Sequence, residues 1–79
     1  MARVLLFGPL RDLAGWRERQ VEAGSLSDLR SLLTAEDADL GAALAGKGVQ
    51  VAVDQAVVRG EIALNAASEV AFLPPMSGG

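Results

Sequence analysis

The stretch Ser25-Leu26-Ser27-Asp28-Leu29-Arg30-Ser31-Leu32-Leu33 decides the fold. Ser25 and Asp28 fit the S-x-x-[DE] capping box, in which a serine hydroxyl and an acid three residues later satisfy the free N–H groups of a helix start. Leu26, Leu29, Leu32 and Leu33 then recur at helical spacing and make one apolar stripe, which is assigned to the core. Beyond this main helix, Glu36, Asp37 and Asp39 precede Leu40 and Leu44. Acids early and leucines four apart predict a second, short helix, favoured by the helix dipole and stopped by Gly46 and Gly48.

Working outward, strands flank the helices on both sides. Residues 2–8 are an apolar run ended by Gly8-Pro9, which reads as a strand. Val4 and Leu6 point one way, Leu5 and Phe7 the other. Leu10 to Trp16 reads as a connection, and Arg17 to Ala23 as a second strand around Val21, broken by Gly24. On the far side, Val49, Val51 and Val53 alternate with Gln50, Ala52 and Asp54, a strand pattern. Gln55-Ala56 reads as a turn and Val57-Val58 as a short return strand. Residues 59–68 are loop-like, with Ile62 and Leu64 as anchors to the core, and Glu69 to Leu73 is the last strand. This order predicts a two-layer α+β roll with one mixed sheet packed on one main helix. No repeat or linker interrupts it, so residues 1–79 read as a single domain with an extended tail, 74–79.

Composition narrows the functions available. The chain has 79 residues, 51 % of them apolar and 22 % charged, too apolar for a disordered segment. A domain this small buries about 60 % of the surface its unfolded chain exposes, leaving little room for an enclosed active site. There is no Cys and no His, which removes thiolate metal sites, cysteine nucleophiles, the commonest zinc ligand and the usual general base. A formal net charge of −3 argues against a nucleic-acid partner. No apolar run approaches the length that spans a bilayer, and no signal peptide precedes the first strand. These readings predict a cytoplasmic domain that works by binding or by chemistry at a chain terminus, with no metal site.

The tail carries the strongest functional signal. Val70 to Gly79 holds no charged side chain. Pro74-Pro75 removes two ladder donors, so regular pairing ends there, and it aims the following residues away from the sheet. The sequence closes on Gly78-Gly79, a coincidence expected by chance in roughly 0.5 % of chains. A diglycine has no Cβ, threads a narrow channel and accepts any backbone angle a foreign active site requires. The Gly79 carboxylate is unhindered, but an ionised carboxylate is a poor electrophile. It reacts only once activated, for instance as a mixed anhydride with AMP.

Three blocks resemble the small subunit of molybdopterin synthase: Phe7-Gly8-Pro9-Leu10-Arg11-Asp12-Leu13-Ala14-Gly15, Val51-Ala52-Val53-Asp54-Gln55, and Glu69-Val70-Ala71-Phe72-Leu73-Pro74-Pro75-Met76-Ser77-Gly78-Gly79. They fall in that family's order, and the resemblance covers the whole chain. A terminal Gly-Gly is shared by all ubiquitin-like sulfur carriers; the diproline pattern together with the Phe-x-x-x-Arg-x-Leu block is more specific. Asp54 stands where the family usually has Asn. Ala67-Ser68 replaces its usual Gly-Asp, so the turn before Glu69 must be built differently, with Asn65 as the candidate.

The resemblance implies a β-grasp, ubiquitin-like fold and a mechanism. An adenylyltransferase of the ubiquitin-activating type adenylates Gly79 with ATP. Sulfur from a cysteine desulfurase system displaces AMP and leaves a thiocarboxylate. The tail, with Pro74, Pro75, Ser77 and Gly78 leading to Gly79, enters the large synthase subunit, where sulfur passes to cyclic pyranopterin monophosphate. The assembly implied is a heterotetramer with two copies of each subunit. This chain would bind no cofactor itself, and would be a sulfur-donor subunit without catalytic side chains, the sulfurtransferase being the complex.

The resemblance also places Phe7, Arg11, Val57 and Leu73 at the partner interface. Independently, Phe7 alternates against Val4 and Leu6, and Leu73 against Val70 and Phe72. If the latter sets face the helix, Phe7 and Leu73 face water until a partner covers them. Val57 is left open between core and surface, and Arg11 between interface and solvated loop. Asp54 and Glu69 are not read as an acid–base pair, since no His or ligand cluster accompanies them. Trp16 reads as a rim or core residue. The alternatives are a sulfur carrier for thiazole or tRNA thiolation, a ubiquitin-like modifier joined to lysines, and an interaction domain with an inert tail.

Overall fold

The computed structural model describes residues 1–75. In chain order the elements are β1 (Ala2–Leu6), α1 (Pro9–Ala14), β2 (Glu18–Val21), α2 (Leu26–Glu36), α3 (Ala38–Leu44), β3 (Gln50–Val53), β4 (Ala56–Val58) and β5 (Glu69–Leu73). The five strands form one mixed sheet in the order β2-β1-β5-β3-β4. β1 and β5 pair in parallel, and every other pair is antiparallel. A parallel pair needs a crossover; here α2, α3 and the β3–β4 hairpin lie between the two strands in sequence. This is the mixed sheet on a main helix that the sequence predicts, a β-grasp arrangement.

The helices cover one face of the sheet. From that face Val4 and Leu6 of β1, Val51 and Val53 of β3 and Val70 and Phe72 of β5 meet Leu26, Leu29, Leu33, Leu40 and Leu44 in one core. Val70 and Phe72, on the central strand, are 0 % exposed. Leu32 is the exception to the expected stripe, at 42 % exposure. At about 100° per residue, Leu26 and Leu33 lie to one side of Leu29 around the helix and Leu32 to the other, so the buried face turns away from it.

The main helix carries the predicted Ser25 cap, and α3 carries one the sequence reading did not single out. The Asp28 backbone N–H donates to Ser25 Oγ at 3.1 Å, and the Leu40 N–H donates to Asp37 Oδ1 at 3.1 Å. Only the serine half of the expected capping box forms. Glu61, from the loop before β5, supplies the second acceptor instead: its Oε1 takes the Ser27 N–H at 2.9 Å and the Ile62 N–H at 3.1 Å. The same loop is tied to α2 by Leu26 N–H to Ile62 O and Leu64 N–H to Gly24 O. Leu64 is buried and Ile62 packs on the core, as expected.

Three local readings need correction. The segment after β1 is not a plain connection but contains α1, started by Pro9 at its first turn and closed by Gly15 in the left-handed region, a pattern typical of helix ends. Gly8 lies outside the strand. The β3–β4 turn is Asp54-Gln55, one residue earlier than the sequence suggested. Val53 pairs with Ala56, and both turn residues have positive φ, 51° and 72°, the two-residue geometry that matches strand twist.

Candidate functional site

The candidate site begins where β5 ends. Leu73 is its last paired residue, and Pro74-Pro75 then leaves the sheet between two glycines from distant parts of the chain. A Cβ at Gly8 would lie 3.1 Å from Pro74 Cγ, and one at Gly48 would lie 3.0 Å from Pro75 Cβ. Both glycines have positive φ, 58° and 88°. Glycine is therefore favoured on two counts at each position, for the backbone angle and for the close approach. Reading the sequence locally, Gly8 is only a strand terminator and Gly48 a helix stop. Their packing on the diproline carries no local signal.

The start of β5 is fixed as firmly. The Asp54 N–H donates to Glu69 O at 2.8 Å, and the Glu69 N–H donates to Asp54 Oδ1 at 2.9 Å. Asp54 is thus a turn residue whose carboxylate accepts a backbone hydrogen. Glu69 sits 3.4 Å from Arg3, which also pairs with Glu18 at 3.0 Å. Both carboxylates serve the fold. The preceding turn is built on Asn65, as anticipated: its Oδ1 accepts from the Ala67 N–H at 2.8 Å, while Ser68 Oγ accepts from the Asn65 N–H at 3.0 Å.

The sheet face turned away from the helices is apolar toward the tail root. One row across the strands reads Glu18, Leu5, Ala71, Ala52, Val57, apolar except at its β2 edge. The next row toward the tail holds Leu73 on β5 beside the exposed Gln50 of β3, with Phe7 just past the end of β1. Phe7 is 45 % exposed and Val57 57 %; Leu73 is partly exposed. Val57 is therefore a surface residue, and it shares this face with Phe7 and Leu73. In the row further from the tail Arg3 pairs with Glu69, and Arg3 also reaches Glu18 at the β2 edge of the Leu5 row.

Arg11 belongs to the same corner. A shallow cavity of about 220 Å³ is lined by Leu5, Leu6, Phe7, Arg11, Arg17 and Glu18. Arg17, which the sequence reading did not single out, thus joins Arg11 beside Phe7. Among the described residues Arg11 approaches only Asp12 as an ion pair, at 3.9 Å, and Arg17 has none. Ser77, Gly78 and Gly79 lie outside the described residues. The remaining aromatic feature is elsewhere: Trp16 packs on the core rim under the Arg19 guanidinium, 5.0 Å from the ring centre. Arg19 in turn pairs with Glu36 at 2.8 Å. That hydrogen bond and charge hold the Glu36 carboxyl below its ordinary range. Among the described residues no helix is long and apolar enough to cross a membrane.

Comparison with known proteins agrees with this geometry. The ThiS family model matches residues 4–79. No curated protein matches the chain. Among solved structures, it is similar to SAMP1 from Haloferax volcanii, with 24 % identity, a TM-score of 0.85, and coverage of 99 % of this chain and 98 % of that one. The small archaeal modifier protein 1 from Methanosarcina acetivorans matches at 23 % identity and a TM-score of 0.86, covering 99 % and 95 %. A chain in the complex of subunits 1 and 2 of molybdopterin-converting factor from Helicobacter pylori matches at 22 % identity and a TM-score of 0.73, covering 99 % and 97 %. At these identities the likenesses establish the fold.

Proposed function

The chain belongs to the ThiS family of ubiquitin-like sulfur carriers, and from that premise we propose that Gly79 carries the sulfur and that the acceptor is a molybdopterin precursor. The Gly79 carboxylate attacks the α-phosphorus of ATP on an adenylyltransferase, and pyrophosphate leaves. A persulfide of a cysteine desulfurase system attacks the acyl carbon, and AMP leaves. Reduction of the resulting acyl disulfide by a thiol frees the thiocarboxylate. Inside a large synthase subunit, that sulfur passes to cyclic pyranopterin monophosphate. The chain supplies the carried group and its presentation, and the partners supply the side-chain chemistry. The chain's lack of Cys and His suits this division.

The observation that carries the reading is the tail root. The central strand β5 delivers the chain past Gly8 and Gly48, beside an exposed apolar face bearing Phe7, Val57 and Leu73. That face, with Arg11 at its corner, is the proposed contact for the large subunit and, in turn, for the activating enzyme. The order of the three sequence blocks, ending Phe72-Leu73-Pro74-Pro75, supports the molybdopterin acceptor. The Helicobacter pylori match is itself a subunit of a two-subunit factor. The test is transfer: thiocarboxylated chain, the host's large synthase subunit and cyclic pyranopterin monophosphate should yield dithiolene product in proportion to carrier consumed. No product from a loaded carrier would reject this acceptor.

A second reading is favoured by the two matches to small archaeal modifier proteins, each covering 99 % of this chain. Activation is the same, but a lysine amine takes the acyl group. What is attached to Gly79 in the host, sulfur or lysine, separates the two.

A further inference from the structure

Of the seven cationic side chains, Arg17, Arg30, Lys47 and Arg59 have no ion pair among the described residues. Arg17 lies at the Phe7 corner already described. The other three belong to the side of the molecule where β3 starts and β4 ends the sheet. Arg30 and Arg59 line one cavity of about 240 Å³, walled also by Val49, Val51, Val57 and Val58. Lys47 is exposed in the turn that leads into Val49. Val51 is a core residue and Val58 packs on the core, which puts the cavity on the helix side of the β4 edge. Arg30 is held in place there. Its guanidinium lies over the Phe72 ring, 5.5 Å from the centre, and its Nη1 donates to Leu44 O at 3.2 Å. That is the one hydrogen bond of this guanidinium among the described residues, out of five N–H donors. A second cavity, of about 460 Å³, adjoins the first at Arg30 and continues along α2 past Leu26 to Glu61. Glu61 Oε1 is engaged by the Ser27 and Ile62 N–H groups. The groove between α2 and the β4 edge is therefore polarised, with two guanidinia toward β3 and one carboxylate at the far end.

We infer that this groove is a docking site for an acidic, aliphatic peptide segment of a partner protein. The inference is independent of the chemistry at Gly79. A carboxylate of the segment accepts from the free guanidinium donors of Arg30 and Arg59, and such charge-assisted bonds are roughly twice as strong as neutral ones. An aliphatic neighbour in the segment covers the four valines and removes their surface from water. Both features are needed to fill the cavity: a free anion would leave the valines wet, and a purely apolar segment would leave the guanidinium donors without an acceptor. A nucleic acid fits less well, because the chain's net charge of −3 repels a polyanion beyond this one groove.

The test is an NMR titration of the isotopically labelled full chain with a short capped peptide, an Ile-Val-Ile centre followed by two glutamates. Saturable shifts are expected at the amides of Val49, Val51, Val58 and Arg59 and at Arg30 Nε, with peptide in the millimolar range or below, and they should weaken as salt is added. The same peptide with glutamines in place of the glutamates should bind at least tenfold more weakly, and so should the original peptide to Arg59→Glu. The Arg59 side chain is exposed, so Arg59→Glu should melt at the native temperature. A peptide with lysines in place of the glutamates should bind Arg59→Glu better than it binds the native chain, a reversal that a merely structural role of Arg59 would not produce. Four results would each overturn the proposal: no saturable shift, equal affinity for the glutamine peptide, shifts confined to the Leu5–Ala71 row of the open face, or equal shifts of the same amides by inorganic phosphate, which would make this a site for small anions.

Discussion

Gly8 shows how much one residue sets at this site. Its φ of 58° and ψ of −135° belong to a region that side chains occupy only under strain of about 1–3 kcal/mol. Gly8→Ala adds a contact on Pro74 at 3.1 Å. Gly60 also has positive φ but nothing within 4 Å. Gly60→Ala should therefore lose stability through the backbone alone, about 1 kcal/mol. Gly8→Ala should lose more in urea melts and should also lower the rate of Gly79 activation, whereas Gly60→Ala leaves that rate unchanged. The Phe7-Gly8-Pro9 block was visible as a motif, but its steric role was not, because Pro74 meets it only after the sheet is assembled. A second residue-scale case is Glu36. Its pKa is lowered by hydrogen bonding to Arg19, then by that charge. A depressed folded pKa means a contribution present above the unfolded value and lost as pH falls through the folded one. Glu36→Gln, which removes only the carboxylate charge, should therefore destabilise the chain at neutral pH and converge with the native chain in acid, as read by melting temperature against pH.

Among the elements, α2 was legible from its cap and leucine pattern, and α3 from its early acids and leucines four apart. Asp37 serves both: it follows α2 and caps α3 through Leu40. Asp37→Ala should cost about 1 kcal/mol, seen as a lower urea midpoint at an unchanged slope. The helix α1 was missed for a physical reason. It spans six residues with only Leu10 buried, too short for a periodic stripe, although Pro9 and Gly15 marked its ends. The stripe of α2 was over-read at Leu32 because leucine spacing alone does not say where the sheet sits. The β3–β4 turn slipped by one residue because Asp54-Gln55 lacks the glycine that usually marks such a turn.

For the whole molecule, element order gave the layer arrangement, but only pairing puts β5 at the centre of the sheet, between β1 and β3. That placement brings Leu73, Phe7 and Val57 to one face and the tail root to one end. On the function proposed above, this open apolar face is the interaction surface. Phe7→Glu and Val57→Glu should each leave the melting temperature nearly unchanged, since both side chains are exposed. They should weaken capture by the activating enzyme by tenfold or more (about 1.4 kcal/mol) in titration. Leu32→Glu, on the helical side, should change neither.

The central claim is that sulfur rides on Gly79. Its most direct test is intact-mass spectrometry of the chain after incubation with ATP, the host's activating enzyme and a persulfide donor. The account predicts a species with one carboxylate oxygen replaced by sulfur, with fragments placing it on Gly79, and none in a chain lacking Gly78 and Gly79 that melts at the native temperature. An unchanged carboxylate in a reaction whose activating enzyme loads a known carrier, or sulfur found away from Gly79, would contradict it.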